Sequence, residues 1–137
     1  MKIIRDILTL DDIRQIAEQG FGDMVKGVVD VERELVAIDA ELHSDLEALL
    51  LEDGSMQNNL WGINLYPEMQ GDEFIEFDSM INVRPSQDNR SRGVENEETR
   101  QRIARVVARR VKRSVSSIKL CRRGAGIASH SRSKWLI

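Results

Sequence analysis

Asp30, Asp39, Glu41, Glu76 and Asp78 stand in segments whose apolar residues recur at every second position. In a β-strand successive side chains point to opposite faces. If Val36, Ile38, Ala40 and Leu42 face a core, Asp39, Glu41 and His43 face away from it. If Ile75, Phe77, Ile81 and Val83 face that core, then Glu76, Asp78 and Asn82 do not. Asp30, Asn64 and Tyr66 share the outward register, so one side of a sheet is expected to gather five carboxylates, a histidine and a tyrosine. Two carboxylates ~4 Å apart at an effective dielectric of ~20 repel by about 4 kcal/mol, which calls for protons or a cation. Oxygen ligands with one imidazole suit Mn²⁺ or Zn²⁺, making Asp39, Glu41, His43, Glu76 and Asp78 candidate metal ligands. Two other readings stand beside this one: a solvated sheet face with widely spaced acids, or pairing of those acids with arginine.

Arg84, Asn89, Arg90 and Arg92, just ahead of Gly93, form a basic loop after the acidic segment. Guanidinium groups beside a glycine can hold a phosphate or carboxylate bidentately. They can equally clamp Glu76, Asp78 or Asp88, within the chain or across a symmetric homo-oligomer, and the clamp is the expectation. Neither a glycine-rich phosphate loop with its lysine nor a dinucleotide fingerprint accompanies the loop, so no cofactor is implied. Ser79, Ser86 and Ser91 lack the glycine-flanked turn of a hydrolase nucleophile.

Charge is divided along the chain. All 23 acidic residues and 8 of the 20 basic ones lie in residues 1–98, a net −15, while the other 12 basic residues give residues 99–137 a net +12. Such asymmetry points to an interaction tail or a self-neutralising contact. Residues 112–137 mix Arg, Lys, Ser and Gly without a period and read as a basic, loosely ordered tail, the one place for nucleic-acid binding. No apolar run approaches the ~20 residues of a membrane span, and Arg5 and Asp6 interrupt any secretory signal, which implies no membrane partner and a cytoplasmic location. A single cysteine, Cys121, supports neither a disulfide framework nor a structural zinc.

These groups need elements to hold them. Residues 2–5 read as a short strand, and Thr9 caps a helix with Asp11 and Asp12 in its first turn, stopped by Gly20 and Gly22. Residues 25–31 and 35–42 read as a hairpin. Ser44 and Glu47 have the spacing of a capping box for a second helix that breaks at Asp53 and Gly54. Residues 60–66 and 73–83 read as another hairpin, and Asn96 caps a last helix with the stripe Ile103, Val106, Val107 and Val111. The sum is one α+β domain over residues 1–111, a four- or five-stranded, mainly antiparallel sheet with three helices on one face, in the order β-α-β-β-α-β-β-α.

The stretches Asp39-Ala40-Glu41-Leu42-His43, Leu60-Trp61-Gly62-Ile63-Asn64-Leu65-Tyr66-Pro67, Glu76-Phe77-Asp78-Ser79-Met80-Ile81-Asn82 and Arg84-Pro85-Ser86-Gln87-Asp88-Asn89-Arg90-Ser91-Arg92-Gly93 resemble a family of small bacterial and archaeal proteins known only as a domain of unknown function. The resemblance covers residues 1 to about 111 and implies no activity. The expectation for function is therefore a non-catalytic binding or assembly protein, with the acidic sheet face and the arginine loop as one network. A metal-dependent enzyme acting on a phosphate-bearing substrate, or nucleic-acid binding through the tail, are the alternatives.

Overall fold

The computed structural model describes residues 1–112. The segment read as a tail lies, from residue 113 onward, outside the described residues, and the nucleic-acid expectation goes with it. The chain opens with β1 (Lys2–Ile4) and the two-residue β2 (Leu8–Thr9), then enters α1 (Leu10–Gln19). Thr9 caps α1 as its residue type suggests: its hydroxyl accepts the Asp12 N–H and the Asp12 carboxylate accepts the Thr9 N–H, both at 3.2 Å.

The hairpin of β3 (Val25–Asp30) and β4 (Leu35–Ile38) turns through Asp30, which is fully buried. Its Oδ1 accepts the N–H groups of Glu32 and Arg33, each at 2.9 Å. Asp30 therefore belongs to the turn and not to an outward acidic row. β4 ends at Ile38 because Asp39 takes a left-handed φ of +76°, which breaks the alternation that residues 35–42 suggest. After it come α2 (His43–Glu52) and β5 (Leu60–Leu65). The capping box expected at Ser44 does not form: α2 begins two residues earlier, with Leu42 at the cap position and no side-chain bond there.

Beyond β5 the chain forms only a two-residue strand, β6 (Ile75–Glu76), in place of the longer strand expected over 73–83. Ser79 then caps a 3-10 turn, Met80–Asn82, and a second such turn spans Pro85–Gln87. Asn96 caps α3 (Glu97–Arg110) by accepting the Thr99 N–H at 3.0 Å, and β7 (Val111–Lys112) pairs in parallel with β2.

The five main strands form one antiparallel sheet in the order β1-β4-β3-β5-β6. The α+β class, the sheet and the three helices are as expected. Their distribution differs, because β3, β4 and β5 are apolar on both faces. Val29, Val36, Ile38, Trp61, Ile63 and Leu65 pack with Ile13 and Ala17 of α1 and with Ile103, Val106 and Val107 of α3. Val28, Leu35, Ala37 and Leu60 pack with Leu46 and Leu50 of α2, which covers the face expected to be bare. Burying Leu46 and Leu50 completely contributes about 2 kcal/mol each, enough to seat a helix there.

The same face is closed further along by the turn at Ser79. A Cβ on Gly62 would stand 2.5 Å from the Ser79 Cβ, so only glycine admits this approach. Asn82, fully buried, accepts the Gly62 N–H at 2.8 Å and donates to the Gly62 carbonyl at 3.0 Å. Its carboxamide continues the hydrogen-bond ladder of β5 where β6 stops.

Candidate functional site

Three of the candidate metal ligands lie around one buried side chain, Asn64 of β5. Asn64 Nδ2 donates to Glu76 Oε1 at 2.9 Å and to the Asp78 carbonyl at 3.4 Å. The Tyr66 hydroxyl donates to the same Glu76 oxygen at 2.9 Å. Burial first, and the Glu76 hydrogen bond second, push the Tyr66 pKa up to about 12, so it stays a neutral donor. Asp78 is paired with Arg92, whose Nε lies 2.7 Å from its Oδ1. Both partners are about half exposed, so the pair is worth roughly 0–1 kcal/mol.

His43, the first residue of α2, is buried and donates from Nε2 to the Ile63 carbonyl at 2.8 Å. Burial pushes its pKa down, outweighing the Ile63 hydrogen bond. The sign of the linkage follows: the folded state binds the proton less readily than the unfolded chain, whose histidine titrates near ~6.5. Stability is full above that pH and is lost as the pH falls through the lowered pKa. Thermal unfolding is accordingly expected to show wild type losing Tm more steeply than His43→Gln between neutral pH and about pH 5. Parallel profiles for the two proteins would contradict a buried neutral His43.

Asp39 and Glu41 do not join this cluster. Both are exposed, and the Asp39 carboxylate lies 4.0 Å from the Met1 ammonium. Ile38 pairs with Gly27 and Lys26 with Asn64, itself opposite Glu76, so Asp39 is separated from Glu76 by three inter-strand steps, roughly 14 Å. The expected gathering of Asp39, Glu41, His43, Glu76 and Asp78 is thus corrected. The left-handed turn at Asp39 carries two of them away, and α2 buries the third. Among the described residues no group of three or more His, Cys, Asp or Glu is placed to hold a metal ion.

The arginine loop is put to structural use. The Arg84 guanidinium lies 4.3 Å over the Trp61 ring and donates to the carbonyls of Gln57 at 2.6 Å, Ile81 at 3.1 Å and Leu60, and to Gln87 Oε1 at 3.1 Å. Its fork is spent on the protein, which leaves little of it for an anion. Asn89 is buried, with Nδ2 shared among the carbonyls of Asn82, Gly93 and Ser91 and with Oδ1 accepting the Glu95 N–H at 2.8 Å. Arg90 is exposed, and its backbone N–H donates to Glu95 at 3.0 Å. Of the four loop residues only Arg92 makes the expected clamp, on Asp78.

Three arginines of α3 are likewise engaged within the chain. Arg109 pairs with Glu34 at 2.6 Å, Arg102 with Glu32 at 3.5 Å, and Arg110 donates to the carbonyls of Glu34 at 2.8 Å and Arg5 at 2.5 Å. Part of the charge asymmetry is therefore a self-neutralising contact between α3 and the acidic β3–β4 turn.

What the loop builds is one wall of a cleft of about 420 Å³. Gln87, Asp88 and Asn89 form that wall, Asn58 and Asn59 the second, and Asn96, Thr99 and Arg102 of the α3 entrance the third, over a floor of Val31 and Trp61. Among the described residues the side chains of Asn58 and Asn59 and the Thr99 hydroxyl make no hydrogen bond within the protein. Sequence reading passed over these positions. The run of three amides at Gln57-Asn58-Asn59 just before a strand was the available signal, since amides there have no capping duty to explain them.

Fold and cleft together define a small α+β domain whose one antiparallel sheet is covered by helices on both faces. The chain belongs to the family described as protein of unknown function (DUF5674), whose profile matches residues 2–110. No curated protein and no solved structure matches it. No helix among the described residues is long and apolar enough to cross a membrane.

Proposed function

We propose that this domain is a non-catalytic binding protein that takes a small polar ligand into the cleft between the Pro85–Gln87 turn, the Gln57–Asn59 turn and the start of α3. The observation that carries the reading is the cleft itself: a volume within the usual range of ligand sites, lined in part by the side chains of Asn58, Asn59 and Thr99, which hydrogen-bond to no other described residue. Rigidity supports it as well. Trp61 is held under Arg84, and Asn89 ties the loop to four backbone groups, so the walls are set before a ligand arrives. The acidic and basic groups of the loop serve this construction, with Asp78–Arg92 fastening the loop to the end of β6.

Amide chemical shifts of the labelled protein, followed while a mixture of small polar fragments is added, test the reading. Shifts are expected to concentrate on Asn58, Asn59, Asn96, Thr99 and Arg102, and Thr99→Trp, which fills the cleft, is expected to abolish them with little change in Tm. Shifts scattered over the surface, or unaltered in Thr99→Trp, would remove the cleft as a binding site.

A further inference from the structure

We infer that the ligand of this cleft is a neutral polyhydroxylated molecule, a monosaccharide or disaccharide; the inference rests on the cleft being a binding site. Charge argues first. Asp88 and Glu95 line the cleft, and the one cation that lines it among the described residues, Arg102, is already engaged by Glu32 and the Val31 carbonyl. An anionic ligand would meet two carboxylates with little compensation.

Shape argues second. Trp61 is only 6% exposed, and one face of its ring is covered by Arg84. The cleft therefore has no open aromatic platform, and a nucleobase or other flat heterocycle would forgo stacking, its main source of affinity. Trp61 and Val31 reach the cleft only through the small apolar area they leave exposed, enough for a C–H contact with a sugar ring and too little for stacking.

Hydrogen-bond inventory argues third. A hydroxyl group is at once donor and acceptor, and the carboxamides of Asn58 and Asn59, with the Thr99 hydroxyl, also offer both functions from neighbouring positions. The Asp88 carboxylate, and the Glu95 oxygen that the Arg90 and Ser91 N–H groups do not occupy, accept hydroxyl protons without needing a counter-charge. Two or three vicinal hydroxyls are matched by this set, whereas a purely accepting or purely donating ligand would leave part of it unpaired.

The test uses the full chain carrying Trp135→Phe, so that Trp61 is the one indole that reports. Glucose, galactose, mannose and maltose are titrated against glucose 6-phosphate, glucuronate and adenosine, read by Trp61 fluorescence and by the cleft amide shifts. At least one neutral sugar is expected to saturate with an affinity on the order of millimolar, about tenfold tighter than either anionic sugar. Asn59→Ala and Thr99→Val, neither of which breaks a side-chain bond among the described residues, are each expected to weaken it about tenfold, and Glu18→Gln on remote α1 to leave it unchanged. If polar fragments enter the cleft while no neutral sugar saturates, or if an anionic sugar or adenosine binds as well, the ligand class is wrong and the binding reading stands. If neither fragments nor sugars enter, both fall.

Discussion

Asn82→Ala is expected to lose about 3–5 kcal/mol of stability, the largest effect of any conservative substitution outside the apolar core. The wild-type carboxamide, fully buried, serves three backbone groups: the Gly62 N–H at 2.8 Å, the Gly62 carbonyl at 3.0 Å and the Arg92 carbonyl at 2.9 Å. Alanine leaves the Gly62 N–H and carbonyl unpaired beside a fully buried side chain, while the Arg92 carbonyl keeps the Ser79 N–H, and each orphaned group costs about 1–3 kcal/mol before relaxation. Asn82→Asp is expected to be as severe, because a carboxylate would still accept from Gly62 N–H but would face two carbonyl oxygens. Urea unfolding with an unchanged m-value measures the loss. A cost under about 1 kcal/mol would mean that the edge of β5 is closed by something other than Asn82.

Gly62→Ala is the second. The added methyl would overlap the Ser79 side chain, at 2.5 Å from its Cβ and 2.6 Å from its Oγ, and would press on Ile81 at 3.2 Å. Ser79 cannot swing aside, since its N–H donates to the Arg92 carbonyl at 2.9 Å and its hydroxyl caps the turn at Ile81. The turn must shift bodily, at a cost of about 2–4 kcal/mol typical of overpacking compounded by a broken cap. Adding Ser79→Gly removes both clashing atoms, so the double variant is expected to be more stable than Gly62→Ala alone, with a coupling above about 1 kcal/mol. Strict additivity of the two substitutions would show that the contact does not restrain the turn.

Both predictions concern the region where sequence and structure part company, and for one reason. Glu73 to Val83 has the alternation of a strand, and alternation is a local signal. Whether a strand forms also depends on what lies beside it, and Gly62, far away in the chain, admits Ser79 and lets Asn82 take over the ladder. Nothing within residues 73–83 announces that exchange. The same holds at Asp39, where the positive φ that ends β4 falls on a residue type that visits this conformation only in suitable surroundings. His43 shows the converse. Its residue type suggested a ligand, and burial beneath α2 with a bond to the Ile63 carbonyl makes it a packing residue instead.

The candidate site was half legible. Glu76, Asp78 and His43 do meet around Asn64, and Arg92 does clamp Asp78. The cleft was not foreseen, because its walls come from three separate segments whose amides carry no periodic or spacing signal.

By itself the amino-acid sequence determined the α+β class, the order of the main elements, the helices capped at Thr9 and Asn96, and the apolar β3–β5 segments, since caps, turns and periodicity act between residues a few positions apart. The tertiary structure alone decided which face each helix covers, where β4 and β6 stop, which polar groups are spent on the backbone and which remain free around the cleft. Those outcomes depend on burial and on pairing between residues distant in the chain, and neither is encoded at any single position.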